Sequence, residues 1–308
     1  MRRSGRLSPY WTLNMIAFIT SFRARALAQD WGHHLLLLER AVRSMLAQTR
    51  GELCVLVVCH EIPETPLSKE PRVRFLPVTF APPARNNDDM CVDKVLKLSA
   101  GARWAQLRGF EYVAFVDADD LVSNRISGFV SDHRGENGWY CPFVLFHAYG
   151  GHLVRSARIS APASAPFAIV RTDLLKFEVP PFRSAWTELV IRGGEAEYLA
   201  LLSRRCEVVN TLAAVGLAHY REYMAIEGHP LEPLPFPGIV MINHSDSTSF
   251  VSGGLGSYQP EEYYAALKRY VRWLPSLQLV GPALRREFLI PAKDEIPRRY
   301  QRGSIFWR

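Results

Sequence analysis

Apolar and polar positions alternate along the first 120 residues in two ways, and together they predict a layered α/β domain. Residues 15–22 and 53–59 are nearly continuous apolar runs, the pattern of strands covered on both faces. Between them, Leu35, Leu38, Val42, Met45 and Leu46 recur at helical spacing over 33–48, and Gly51 stands just past the end. Residues 73–78 predict a short third strand and 82–89 a polar loop. A second amphipathic helix is predicted over 92–107, closed by Gly109, followed by a strand over 112–116. This order of strands and helices belongs to a mostly parallel central sheet flanked by helices. Beyond residue 120 the alternation loosens. Strands are predicted over 139–147, 167–171 and 239–243, and helices over 195–205 and 261–273. Proline-rich stretches at 162–166, 180–181 and 230–237 are short enough to be loops. The chain thus divides into a flexible extension (1–14), a domain over 15–258 with halves at 15–120 and 121–258, and a helical, basic tail (259–308).

Composition fits this division. Apolar residues make up 48% of the 308, and charged ones 22%, enough to build a core and too ordered a mixture for a disordered chain. The net charge of +7 is concentrated near the ends, in Arg2, Arg3 and Arg6 and again in Arg285, Arg286, Arg298, Arg299, Arg302 and Arg308. Such ends are solvated or touch an anionic membrane surface. No nucleic-acid motif accompanies them, so no nucleic-acid partner is expected. Cys54, Cys59, Cys91, Cys141 and Cys206 are scattered and odd in number, which argues against a disulfide framework or a zinc site and for a reducing compartment. Residues 15–22 are too short for a secretory apolar region, and no apolar run is long enough to span a bilayer. The expectation is a cytoplasmic protein with at most peripheral membrane contact.

The chemistry concentrates where the 112–116 strand ends, in Asp117-Ala118-Asp119-Asp120. Ligands of an open α/β sheet bind at the carboxyl ends of strands. Asp117 and Asp119, two apart, project to the same side, and clustered carboxylates suit Mg²⁺ or Mn²⁺ shared with phosphates. The same residues also suit an acidic turn capping a helix that begins near Asn124. At the same sheet edge lie Thr20, Ser21, Phe22, Arg23 and Arg25 after the first strand, and His60 and Glu61 after the second. Guanidinium groups there suit a diphosphate. Asp93, Lys94 and Lys97 open the second helix, and the two lysines share a face that could approach base or phosphate or simply face solvent. His33 and His34 begin a helix and are expected in solvent.

Three of these segments resemble the GT-A glycosyltransferases, in particular the inverting family 2. The helix end Ser44-Met45-Leu46-Ala47-Gln48-Thr49 is similar to that family's S-[IL]-L-x-Q-T, Asp117-Ala118-Asp119-Asp120 to its D-x-D-D, and Ile242-Asn243-His244-Ser245 to its late metal-site histidine. The resemblance covers about residues 15–250. It implies transfer of a sugar, with inversion, from a UDP- or GDP-sugar to a glycan or lipid-linked acceptor. It further implies Asp117 at ribose or metal, Asp119 and His244 on the metal, and Asp120 either on the metal through water or orienting the acceptor. Thr20, Ser21, Phe22, Arg23, Arg25, His60, Glu61, Asp93, Lys94, Lys97 and Ala118 would then line the nucleotide side. Glu195 or Glu197 is the implied general base, with Glu188 an outsider and Trp186 a sugar-stacking candidate. Two segments depart from the family: Cys59-His60-Glu61 replaces its acidic pair, and its E-D element survives only as Gly194-Glu195-Ala196-Glu197-Tyr198. A sugar-phosphate nucleotidyltransferase would also bind Mg²⁺ on a related sheet, but the segment 20–25 lacks the glycines that cradle a triphosphate. A non-catalytic module of the same fold is the third reading.

Overall fold

A computed structural model describes residues 15–50, 52–85, 87–148, 151–158, 167–178, 209–210, 221, 224–225, 227–243 and 274–297. The first half builds as its patterning requires. Strand β1 (Ile16–Ser21) leads into helix α1 (Trp31–Leu46), strand β2 (Leu53–Cys59), strand β3 (Val73–Pro77), helix α2 (Asn87–Leu107) and strand β4 (Tyr112–Phe115). Then come strand β5 (Leu121–Val122), helix α3 (Ile126–Asp132) and strands β6 (Gly138–Tyr140), β7 (Phe143–Ala148), β8 (Leu153–Arg158) and β9 (Ala168–Arg171). Strands β10 (Phe177–Glu178), β11 (Val209–Asn210), β12 (Glu232–Pro233), β13 (Ile239–Asn243) and β14 (Leu277–Leu279), with helix α4 (Pro282–Phe288), complete the described elements.

A seven-stranded sheet in the order β12-β6-β9-β4-β1-β2-β3 forms the centre, and within it β9 alone runs against the rest. The chain adds β2 and β3 on one side of β1, then returns through α2 to place β4 on the other. In open α/β sheets such a reversal marks the crevice where ligands are taken, here outside the carboxyl ends of β1 and β4. One face of the sheet packs on α1 through Leu38, Ala41, Val42 and Met45; the other packs on α2 through Val95, Leu98, Ala102 and Ala105. A Cβ on Gly101 would stand 2.5 Å from Ile19 Cγ2 and 3.0 Å from Val58 Cγ2, so glycine lets α2 lie close over β1 and β2. α2 ends as a left-handed glycine cap dictates: Gly109 has φ 73°, its N–H donates to Gln106 O, and Phe110 N–H donates to Ala105 O.

A second, five-stranded sheet, β14-β8-β7-β13-β5, stands beside the acidic segment. The single strand expected over 139–147 is two strands in different sheets. Pro142 has no N–H to continue a ladder. At that break Cys141 N–H donates to Phe167 O, and Gly238 N–H donates to the Cys141 sulfur. α2 begins five residues earlier than predicted: residues 87–89, expected as loop, are already helical. α1 is capped by Asp30, whose carboxylate accepts from His33 N–H at 3.0 Å. His33 and His34 are buried rather than in solvent, since the first turn of α1 lies against the chain that leaves β1.

His147 on β7 is fully buried. Its Nδ1 lies 3.2 Å from Leu153 O, so Nδ1 carries the proton, and Nε2 has no hydrogen-bond partner among the described residues. Burial pushes its pKa from 6.5 down to about 4, and Arg285 and His152 add to the effect. The fold excludes the charged ring while the unfolded chain accepts it, so this contribution is intact above pH 6.5 and lost as pH falls towards 4. Going from about pH 7 to about pH 4.5 should cost about 2 kcal/mol through this residue. Urea unfolding of wild-type and His147→Leu protein at both pH values checks it: the variant should lose the smaller amount, and equal losses would count against the assignment.

Candidate active site

The acidic segment follows β4, whose residues are fully buried and hydrogen-bonded between β1 and β9. Val116 N–H donates to Ile19 O at 3.0 Å, and the chain then turns, with Asp120 N–H reaching back to Asp117 O. The turn gathers one carboxylate oxygen from each of Asp117, Asp119 and Asp120 within 4.8 Å of one another. Asp117 and Asp119 are half-buried and Asp120 is 3% exposed. Asp120 Oδ1 accepts from Ile242 N–H on β13 at 3.1 Å, while its Oδ2 is buried without a hydrogen-bond partner among the described residues. Burial, and then the neighbouring Asp119 and Asp117, hold the Asp120 carboxyl well above the usual carboxylate range. Three hard oxygens so placed, one buried and unsatisfied, fit a divalent cation of the Mg²⁺ or Mn²⁺ kind. The cationic side chain standing there is Lys94, whose Nζ lies 2.5 Å from Asp117 Oδ1.

The turn is fastened on its downstream side by the residues at the end of α1. Ser44 Oγ accepts from Val122 N–H at 2.9 Å, Gln48 donates to Ser123 O and accepts from Ser127 N–H, both at 2.9 Å, and Thr49 N–H donates to Asn124 O. The Ser44–Thr49 motif therefore has a mechanical role that its spacing alone did not disclose. A second tie comes from the end of α4 and the chain just after it. Ser123 Oγ donates to Glu287 Oε1 at 2.6 Å, Asn124 N–H donates to Glu287 O, and Arg40 donates to Glu295 O at 2.7 Å. No local sequence signal marks Glu287, because its partner is 164 residues away.

The nucleotide-side residues divide into two groups. His60, Asp93 and Lys97 meet below the crevice. His60 Nε2 and Lys97 Nζ each lie 2.7 Å from an Asp93 carboxylate oxygen, and Lys97 also donates to Phe22 O at 2.7 Å. Lys97 is 1% exposed, and burial lowers its pKa against the opposing pull of Asp93. The His60 ring stands edge-on to Phe80, with centroids 5.4 Å apart. These three side chains are engaged with one another and hold the chain where it leaves β1. The second group faces outward. Arg25 is exposed and its N–H donates to the Glu61 carboxylate; Arg23 donates to His34 Nε2 at 3.3 Å. Thr20 and Phe22 are instead buried, Phe22 against Trp31, while Ser21, at the end of β1, and Ala118, just past β4, are half-buried. Glu188, Glu195, Glu197, Trp186 and His244 lie outside the described residues, although His244 directly follows β13.

No family model matches the sequence, and no curated protein matches it. Among solved structures the chain is similar to a protein of Desulfovibrio desulfuricans G20 designated a nucleotide-diphospho-sugar transferase. The identity is 13%, 85% of this chain and 96% of that one are covered, and the TM-score is 0.35. It is also similar to a protein of Bacillus anthracis designated a glucose-1-phosphate thymidylyltransferase, at 10% identity, 77% and 92% coverage and a TM-score of 0.40. At TM-scores this low neither likeness carries any part of the functional reading. What is plain is a mixed α/β fold with a mostly parallel central sheet and flanking helices.

Proposed function

We propose that this protein is a metal-dependent glycosyltransferase of GT-A type, similar to family 2, moving a sugar from a nucleotide-sugar donor to an acceptor hydroxyl. The observation that supports it most is the carboxylate set of Asp117, Asp119 and Asp120 outside β4, with Asp120 Oδ2 buried and unsatisfied. Asp117 and Asp119 would hold Mn²⁺ or Mg²⁺ directly, with Asp120 behind them and His244 as a further ligand. When bound, such an ion supplies Lewis-acid neutralisation of the charge that gathers on a leaving diphosphate. Arg23 and Arg25, leaving β1 at the same edge, offer guanidinium groups to the diphosphate, and Glu61 fixes the main chain between them and β2. The His60–Asp93–Lys97 network keeps the Phe22 carbonyl, and so the floor under the nucleoside, in one position. Glu195 or Glu197 would take the proton from the acceptor hydroxyl. A glycan or lipid-linked acceptor suits the reading, and the basic ends would allow contact with a membrane surface.

Thermal unfolding with Mn²⁺ and a panel of nucleoside diphosphates tests this. UDP or GDP with Mn²⁺ at saturating concentration should raise the melting temperature by about 5 °C or more. Hydrolysis of the matching nucleotide sugar should follow. An unmoved melting temperature with every diphosphate would end the transferase reading, and release of pyrophosphate from a nucleoside triphosphate would redirect it to nucleotidyl transfer.

A further inference from the structure

The same α2 that places Lys97 beneath the crevice places Lys94, three residues earlier, at its opening, and the two lysines are held very differently. Lys97 is locked between Asp93 and the Phe22 carbonyl and is 1% exposed. Lys94 and Asp117 have side chains 32% exposed each, and among the described residues Asp117 is the one ion-pair partner of Lys94. Its ammonium lies 2.5 Å from Asp117 Oδ1, and Asp119 and Asp120 add to the field it feels. It therefore stands against the oxygens a divalent ion would use.

We infer that Lys94 is the resident counter-cation of the Asp117–Asp119–Asp120 cluster and yields its place to a divalent ion when a nucleoside diphosphate draws the ammonium away. This rests on the metal-dependent reading and adds an order of events to it. An ammonium and a dication cannot both touch Asp117 Oδ1 without strong repulsion, so an ion arriving alone must displace the lysine into water and forfeit its charge pairing. A diphosphate changes that balance. It offers the ammonium a new partner of matching chemistry, and a lysine on a four-carbon stem can swing to meet it as a mobile point charge. The exposure of Lys94 leaves it free to do so, whereas Lys97 is held fast. The outcome is a site in which Lys94 keeps metal affinity low until donor is present.

Mn²⁺ binding, followed by the paramagnetic resonance signal of the free ion, reads this without any turnover. On wild-type protein, UDP or GDP should tighten Mn²⁺ binding about tenfold or more. Lys94→Met should bind Mn²⁺ alone about tenfold more tightly than wild type and lose most of the nucleotide-dependent gain. Lys94→Arg, which keeps the charge, should hold Mn²⁺ affinity without nucleotide close to the wild-type value. Equal Mn²⁺ affinity of wild type and Lys94→Met in the absence of nucleotide overturns the inference while leaving the metal site standing. If neither protein binds Mn²⁺ under any condition, the metal-dependent reading falls and the inference with it. Should Lys94→Met not fold, the wild type decides: Mn²⁺ affinity indifferent to nucleotide overturns it.

Discussion

Asp119→Asn should abolish the Mn²⁺-dependent rise in melting temperature and lower nucleotide-sugar turnover about 10²- to 10³-fold. The substitution keeps the shape of the side chain and removes only its charge, so the turn 117–120 has no steric reason to change. Asp119 has Asp117 and Asp120 oxygens within 4.8 Å and also adds to the field at Lys94, so its neutralisation removes repulsion and attraction together. The ligand-free variant should therefore melt within about 3 °C of wild type. That combination, unimpaired folding with lost metal response, separates a ligand from a structural carboxylate. A variant that melts early, or one that retains the Mn²⁺ response in full, would remove Asp119 from the proposed metal site. Both are read by the same fluorimetric scan, with turnover followed by release of nucleoside diphosphate.

Lys97→Met should cost about 3–5 kcal/mol of folding stability, the penalty for breaking a buried ion pair by removing one partner. The side chains of Lys97 and Asp93 are 1% and 9% exposed, so the Asp93 carboxylate, left with His60 as its ring partner, would have little water to turn to. The Phe22 carbonyl would lose its donor in the same step, loosening the chain that leaves β1. Adding Asp93→Leu should restore part of the loss, because it removes the unpaired buried charge, while His60 and the Phe22 carbonyl still lack their partners. Urea denaturation of the single and double variants measures both. A loss below about 1 kcal/mol for Lys97→Met would mean that the network contributes less than its burial implies.

Most of the first half was legible in the sequence for a physical reason. Its strands are covered on both faces, so β1, β2 and β4 read as uninterrupted apolar runs, and glycine at position 109 marked the end of α2 through its left-handed backbone. The acidic tip of β4 was visible because three carboxylates closing an apolar run repel one another strongly unless a cation stands among them. Other features depended on partners distant in sequence. The turn at Cys141 and Pro142, which sends β6 and β7 into different sheets, resembled one long strand while only local hydrophobicity was considered. His33 and His34 looked solvent-facing because the segment that buries them arrives from β1. Lys94 and Lys97 at i and i+3 looked like one face open to phosphate or to solvent; only the close seat of α2 over β1, which Gly101 permits, turns Lys97 inward onto Asp93.

The tie between Ser123 and Glu287 bears on when the protein becomes competent. The turn that gathers the carboxylates is formed by neighbours in sequence, yet its downstream edge is secured by a residue synthesised 164 positions later. A nascent chain can therefore form its central strands on the ribosome while the acidic turn is still incompletely braced. Contacts of such separation close late and slowly.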